Sequence, residues 1–100
     1  MFKLTDYISE KEIANFCKKN HIIRMSLYGS ALRDKLGPES DIDILVEFDK
    51  NHIPGLMDLA GMEIELAEMI GRKVDLRTPA ELSRYFRGDV MQKARVEYAA

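Results

Sequence analysis

One hundred residues carrying 15 Lys+Arg and 17 Asp+Glu have a formal net charge of −2, with 46% hydrophobic and 32% charged residues. A chain of this length builds one core and leaves no room for a separate substrate domain, so residues 1–100 are expected to form a single domain. The composition excludes a disordered polar chain and, with no apolar run near the roughly 20 residues a spanning helix needs, a membrane span; the slight acid excess disfavours general nucleic-acid binding.

In chain order, Ser9-Glu10-Lys11-Glu12 reads as a capping box, with Ile8 and Ile13 as its hydrophobic staple. The spacing predicts a helix over residues 10–19, with Ile13, Phe16 and Cys17 on the buried stripe and Asn20 suited to a left-handed exit. Cys17 is therefore expected in the core. It has no second cysteine to pair with and no ligand-spaced neighbour. With no basic segment followed by an apolar one at the start of the chain, a reducing cytoplasm is the expected setting. Residues 22–28 are rich in apolar and β-branched character, end at Gly29 and predict a short buried strand. Gly29-Ser30 is expected to turn the chain into a short helix over about residues 31–36, with Ser30 as N-cap and Gly37-Pro38 as stop.

Residues 41–48 then alternate with period 2. Ile42, Ile44, Val46 and Phe48 share one face, and Asp41 and Asp43 the other. A longer helix is predicted over residues 56–70, with Leu59, Met62, Leu66, Met69 and Ile70 at helical spacing and Gly71 as stop. Residues 73–77 predict a third strand carrying Asp75. Thr78-Pro79-Ala80-Glu81 is a second capping box, opening a helix that Gly88 interrupts before Asp89 caps a final one through Tyr98. The order α-β-α-β-α-β-α predicts an α/β domain built around a small sheet.

The chemistry concentrates in three carboxylates. Residues i and i+2 of a strand lie about 6–7 Å apart, so Asp41 and Asp43 project side by side. If the third strand pairs with theirs, a neighbour spacing of about 4.8 Å brings Asp75 within reach of the same ion. Acidic ligands without nearby His or Cys favour Mg²⁺ or Mn²⁺ over zinc, and two such ions form the clamp for in-line displacement at phosphorus. Taken singly, each Asp also suits a structural role: Asp41 at the strand entry, Asp43 on a solvated face, Asp75 paired with Lys73 or Arg77. Gly29-Ser30 lies upstream at a strand-to-helix junction, where backbone amides and the Ser30 hydroxyl suit a triphosphate. On its own that dipeptide is explained equally well by Ser as a cap.

Gly29-Ser30, ten residues, then Asp41-Ile42-Asp43 resembles the signature of minimal nucleotidyltransferases, small members of the DNA polymerase β-like nucleotidyltransferase superfamily. The surroundings Leu27-Tyr28-Gly29-Ser30-Ala31-Leu32-Arg33, Ser40-Asp41-Ile42-Asp43-Ile44-Leu45-Val46 and Gly71-Arg72-Lys73-Val74-Asp75-Leu76 are similar too, and the likeness spans about residues 20–98. The resemblance implies a polymerase β-like core, a small mixed sheet flanked by helices. It implies that Gly29 and Ser30 bind nucleotide phosphates, that Asp41 and Asp43 hold two Mg²⁺, and that Asp75 is a third metal-site carboxylate helping to activate the attacking hydroxyl. Arg33 matches a basic position of the motif and would face a phosphate or the acceptor, unless it pairs with Asp34 or Glu39. Leu32 departs from the small or β-branched residue common there.

The activity so implied is Mg²⁺-dependent transfer of AMP from ATP to a hydroxyl, with release of pyrophosphate. Relatives of this kind act as antitoxins to a HEPN-domain ribonuclease toxin, which they neutralise by adenylylating a tyrosine. The resemblance therefore implies a hetero-complex with such a toxin. Two other readings remain open: an antitoxin acting by binding alone, and a transferase acting on a small molecule such as an antibiotic. His21 and His52 are expected at the surface, Met57, Met62 and Met69 as core packing or a partner-facing surface, and Arg87-Gly88-Asp89 as a helix break.

Overall fold

The computed structural model describes residues 2–33, Gly37 and residues 39–100. The first long helix, α1 (Glu10–Lys19), starts where its capping box dictates. Ser9 Oγ accepts from the Glu12 N–H at 3.1 Å, and Glu12 Oε1 accepts from the Ser9 N–H at 3.1 Å. Glu10 and Glu12 in the first turn and Lys18 and Lys19 in the last complement the helix dipole. The left-handed exit falls on His21 (φ 60°) and not on Asn20 (φ −102°). Asn20 instead turns its side-chain amide back to donate to the Phe16 carbonyl at 2.9 Å, a second donor to an oxygen that also accepts from the Asn20 N–H at 3.2 Å.

Strand β1 (Ile22–Leu27) ends one residue earlier than the apolar run predicts, and β2 (Ile42–Phe48) begins just after Asp41. Helix α2 (Leu56–Ile70) has its predicted span and ends on Gly71 at φ 77°, whose N–H donates to the Ala67 carbonyl at 2.8 Å. Strand β3 spans Val74–Arg77. These strands, with β4 (Arg95–Ala99), form one sheet in the order β3-β2-β1-β4, in which β2 and β3 are parallel and the other pairs antiparallel.

The core lies on one face of this sheet. Ile13, Phe16 and Cys17 of α1 and Leu59, Leu66 and Ile70 of α2 cluster with Met25, Leu27, Ile42, Ile44, Val46, Val74 and Leu76. Full burial of each large aliphatic chain contributes about 1.5–3 kcal/mol, so this face supplies most of the drive to fold. Met62 and Met69 are only half-buried at its rim. Cys17 is buried as expected, and burial pushes its thiol up to about 12. Among the described residues no helix is long and apolar enough to cross a membrane.

Two expectations are corrected. The turn after β1 is a 3-10 helix over Gly29–Arg33, so Ser30 lies inside it and is not its cap; residues 34–36 and Pro38 lie outside the described residues. The larger correction is at the C-terminal end. The Thr78 capping box forms, but it opens only a 3-10 turn, Pro79–Glu81, after which Leu82 is extended. Helix α3 (Arg87–Lys93) contains Gly88 and starts from Phe86, with Asp89 in its first turn and not at its cap. The predicted final helix stops there, and residues 95–99 form β4 along the free edge of β1. The backbone bonds offered by that edge outweigh the local helix preference of a short segment whose apolar positions, Val96 and Tyr98, are spaced by two.

Candidate active site

Parallel pairing sets Asp43 of β2 opposite Asp75 of β3, flanked by the pairs Ile42 with Val74 and Ile44 with Leu76. Side chains alternate across a strand, so once those aliphatic pairs enter the core the two carboxylates share the opposite face. Asp41 stands immediately before β2, and all three carboxylates are half-buried. The register is pinned where the site begins, because the Ile42 N–H donates to the Lys73 carbonyl at 2.9 Å.

Gly29 lies over this face at φ 70°, a left-handed conformation that favours glycine. A methyl group there would overlap Oδ2 of Asp43. The Ser30 backbone N–H lies near enough to the Asp43 carboxylate to favour its ionised form, and the Tyr28 N–H donates to the Asp43 carbonyl at 3.1 Å. Glycine and serine are thus brought onto the central carboxylate, although by a 3-10 turn and not by the first turn of an α-helix. Arg33 ends that turn; its side chain lies outside what is described, and so does its expected alternative pairing with Asp34.

Burial holds the Asp43 carboxyl above its usual range, and the charges of Asp75 and Asp41 push it further the same way. Arg77 and the Ser30 N–H act against them. Tyr28 is pushed up to about 12, by burial first and then by Asp43 and Asp75. Arg77 Nε donates to Asp75 Oδ2 at 3.2 Å, so the pairing expected of Asp75 in a structural role exists alongside its place opposite Asp43.

The donor set consists of carboxylate oxygens, which fits Mg²⁺ or Mn²⁺. Among the described residues no three His, Cys, Asp or Glu are drawn together into a ready ligand cluster. Asp75 is engaged with Arg77, and the charges of Asp75 and Asp41 act unfavourably on an ionised Asp43. A divalent cation would offset the repulsion that raises Asp43.

Several supporting residues are not evident from sequence. Arg72 Nη2 donates to the carbonyls of Ser40, at 3.1 Å, and Gly37, while Nη1 donates to Tyr7 Oη at 3.4 Å. It therefore ties the segment leading into Asp41 to the start of β3. Glu63 of α2 accepts from the Leu76 N–H at 2.9 Å, occupying a donor on the edge strand that carries Asp75. Both roles depend on chain crossings that local spacing does not encode. A cavity of about 940 Å³ opens from Gly29 and Asp43 toward Leu82, Phe86 and Val90, whose spacing of four in the sequence was the available signal.

The sequence matches the nucleotidyltransferase domain family over residues 10–97. The chain belongs to that family. A relative from Methanocaldococcus jannaschii named protein adenylyltransferase is 32% identical to this nucleotidyltransferase over 85 residues, 85% of this chain and 89% of its own. A second relative of that name and organism is 40% identical over 60 residues, 60% of each chain. Among solved structures, a minimal nucleotidyltransferase aligns with a TM-score of 0.74 at 26% identity, over 93% of this chain and 94% of its own. A toxin-antitoxin structure with AMP-PNP aligns at 0.75 and 20% identity, over 93% of this chain and 75% of its own. The Shewanella oneidensis complex of a tri-AMPylated HEPN toxin with an MNT antitoxin gives 0.66 at 19% identity, over 91% of this chain and 70% of its own. The last two are likenesses of fold. The resemblance to minimal nucleotidyltransferases, and the mixed sheet it implied, hold for this nucleotidyltransferase.

Proposed function

We propose that the chain transfers an adenylyl group from ATP to a hydroxyl, a tyrosine of a HEPN-type toxin, and so acts as its antitoxin. The observation that carries this reading is the pairing of Asp43 with Asp75, with Asp41 just before β2 and Gly29 closing over Asp43 at the head of one cavity. The names of the relatives and the toxin-antitoxin structures that share the fold support the choice of reaction and partner.

In the proposed reaction the acceptor oxygen forms a bond to the α-phosphorus of ATP. The bond from that phosphorus to the oxygen bridging to the β-phosphate breaks, and pyrophosphate leaves in line with the attack. Asp41, Asp43 and Asp75 would hold two Mg²⁺ ions, which when bound supply Lewis-acid stabilisation of phosphoryl charge and lower the pKa of the attacking hydroxyl. Gly29 leaves the triphosphate close access to the backbone, and Ser30 offers its hydroxyl to a phosphate oxygen. Asp75 takes the acceptor proton at a carboxylate oxygen, and Arg77, which donates to its Oδ2, holds that carboxylate in place. Arg33 is assigned to the phosphates by its place in the motif.

Co-expression with the cognate toxin, followed by transfer from α-labelled ATP, tests the reading. Label on the toxin is expected with the wild-type chain and its loss with Asp41→Asn or Asp43→Asn. Full transfer by either variant would overturn the catalytic assignment. Protection of cells by an inactive variant would instead mean that neutralisation is by binding alone.

A further inference from the structure

Helix α3 contributes no buried residue among those described, yet it is not polar all round. Phe86, at the start of α3, and Val90, one turn on, are four apart and share one side of the helix, with Leu82 before them and Ala94 just after the helix. All four line the cavity that begins at Gly29 and Asp43. Phe86 is 64% exposed and stacks on no other ring among the described residues. An apolar helix side normally enters the core; this one faces the space in which the substrate of the neighbouring carboxylates must lie.

The charges at that end are already engaged. Lys93 Nζ pairs with Asp89 at 3.1 Å, and Arg95 Nη2 pairs with Glu97 at 3.2 Å and donates to the Phe2 carbonyl. This wall therefore suits a flat neutral ring and not another phosphate. A nucleoside triphosphate has that polarity, charged at one end and planar at the other, and a volume of about 940 Å³ lies within the range of about 300–1,000 Å³ usual for small-molecule sites. With the triphosphate at Gly29 and Ser30, its other end is left to the apolar wall.

We infer that the nucleobase of the donor stacks on Phe86, against the apolar side of α3. The inference rests on the nucleotidyltransferase reading of Gly29, Ser30 and the three carboxylates. Loss of one base-aromatic stack is expected to weaken nucleotide binding about tenfold.

The test compares Mg-ATP with Mg-tripolyphosphate, which lacks base and sugar, by titration calorimetry on wild-type, Phe86→Ala and Phe86→Trp proteins. Phe86→Ala is expected to lose about tenfold in affinity for ATP and nothing for tripolyphosphate. Phe86→Trp is expected to keep ATP affinity and, since the natural chain has no Trp, to report ATP but not tripolyphosphate by its fluorescence. Unchanged ATP affinity in Phe86→Ala overturns the inference; if transfer to the acceptor falls at the same time, the ring serves the acceptor instead. Equal losses for both ligands overturn it as well. Wild-type protein that binds both ligands equally overturns the base site alone, whereas wild-type protein that binds neither overturns the nucleotidyltransferase reading with it.

Discussion

The two sides of the candidate site are built differently. Asp43 and Asp75 stand on β2 and β3, whose neighbouring residues Ile42, Ile44, Val74 and Leu76 are all buried in the core. The opposite wall, from Pro79 through Lys93, contributes no buried residue from its 3-10 turn or from α3. The contrast separates two demands. Carboxylates that repel one another need a rigid support to hold them together, whereas a wall that meets a ligand gains by leaving its apolar side uncovered. Stability should therefore reside on one side of the site and ligand contact on both.

The sharpest break in this comparison comes from Asp43→Asn. Transfer should fall at least about a hundredfold, because several kcal/mol of transition-state charge stabilisation depend on the carboxylate cluster. In chelator the same variant should melt higher than wild type, since it removes a partly buried charge that Asp75 and Asp41 repel. Thermal unfolding beside a transfer assay checks both. Next in size, Leu66→Ala in the core should cost about 2–5 kcal/mol by denaturant titration. Phe86→Ala should stay within about 0.5 kcal/mol in the same measurement; a cost for Phe86→Ala comparable to that of Leu66→Ala would erase the distinction between the two sides.

Gly29→Ala should cost about 1–3 kcal/mol and also lose transfer, because φ 70° strains an L-residue and its methyl meets the Asp43 carboxylate. Arg72→Ala should cost about 1–2 kcal/mol and lower kcat more than it raises KM for ATP, since it loosens the segment leading into Asp41 without touching the cavity wall. Arg72→Lys should not restore the loss, because one ammonium cannot reproduce the fork that reaches Ser40, Gly37 and Tyr7.

The effect smallest near neutral pH concerns Cys17. Burial pushes its folded thiol up to about 12, against an ordinary 9.0 when unfolded. Below pH 9 both states are protonated and the full stability is present. Between pH 9 and about 12 only the unfolded chain ionises, so stability should fall by about 1.4 kcal/mol per pH unit. In alkaline unfolding titrations Cys17→Ala should lose the part of the slope that begins at pH 9 and keep the part from Tyr28, whose hydroxyl burial pushes from 10.0 to about 12.

Legibility followed the range of the forces involved. Helix α1 was readable because its capping box satisfies two N–H groups at its start, those of Ser9 and Glu12, and α2 because apolar spacing and Gly71 bound it. Strand β2 was readable because its alternation leaves only one way to bury Ile42, Ile44 and Val46. The same locality misled at the C-terminal end. The Thr78 box formed, yet no core lay beneath it to extend the helix, and residues 95–99 paired with β1 instead of coiling.

By itself the sequence determined the carboxylates, their spacing, the glycine-serine dipeptide before them and the family signature these make, since each is a local pattern. Only the tertiary structure decided that β3 pairs parallel to β2 so that Asp75 stands opposite Asp43, that Gly29 closes over Asp43 from a 3-10 turn, and that Arg72 braces the approach to Asp41. It also turned Leu82, Phe86 and Val90 toward the cavity. Register and facing are set by which surfaces are left to be buried once the core has closed, and that is a property of the whole chain.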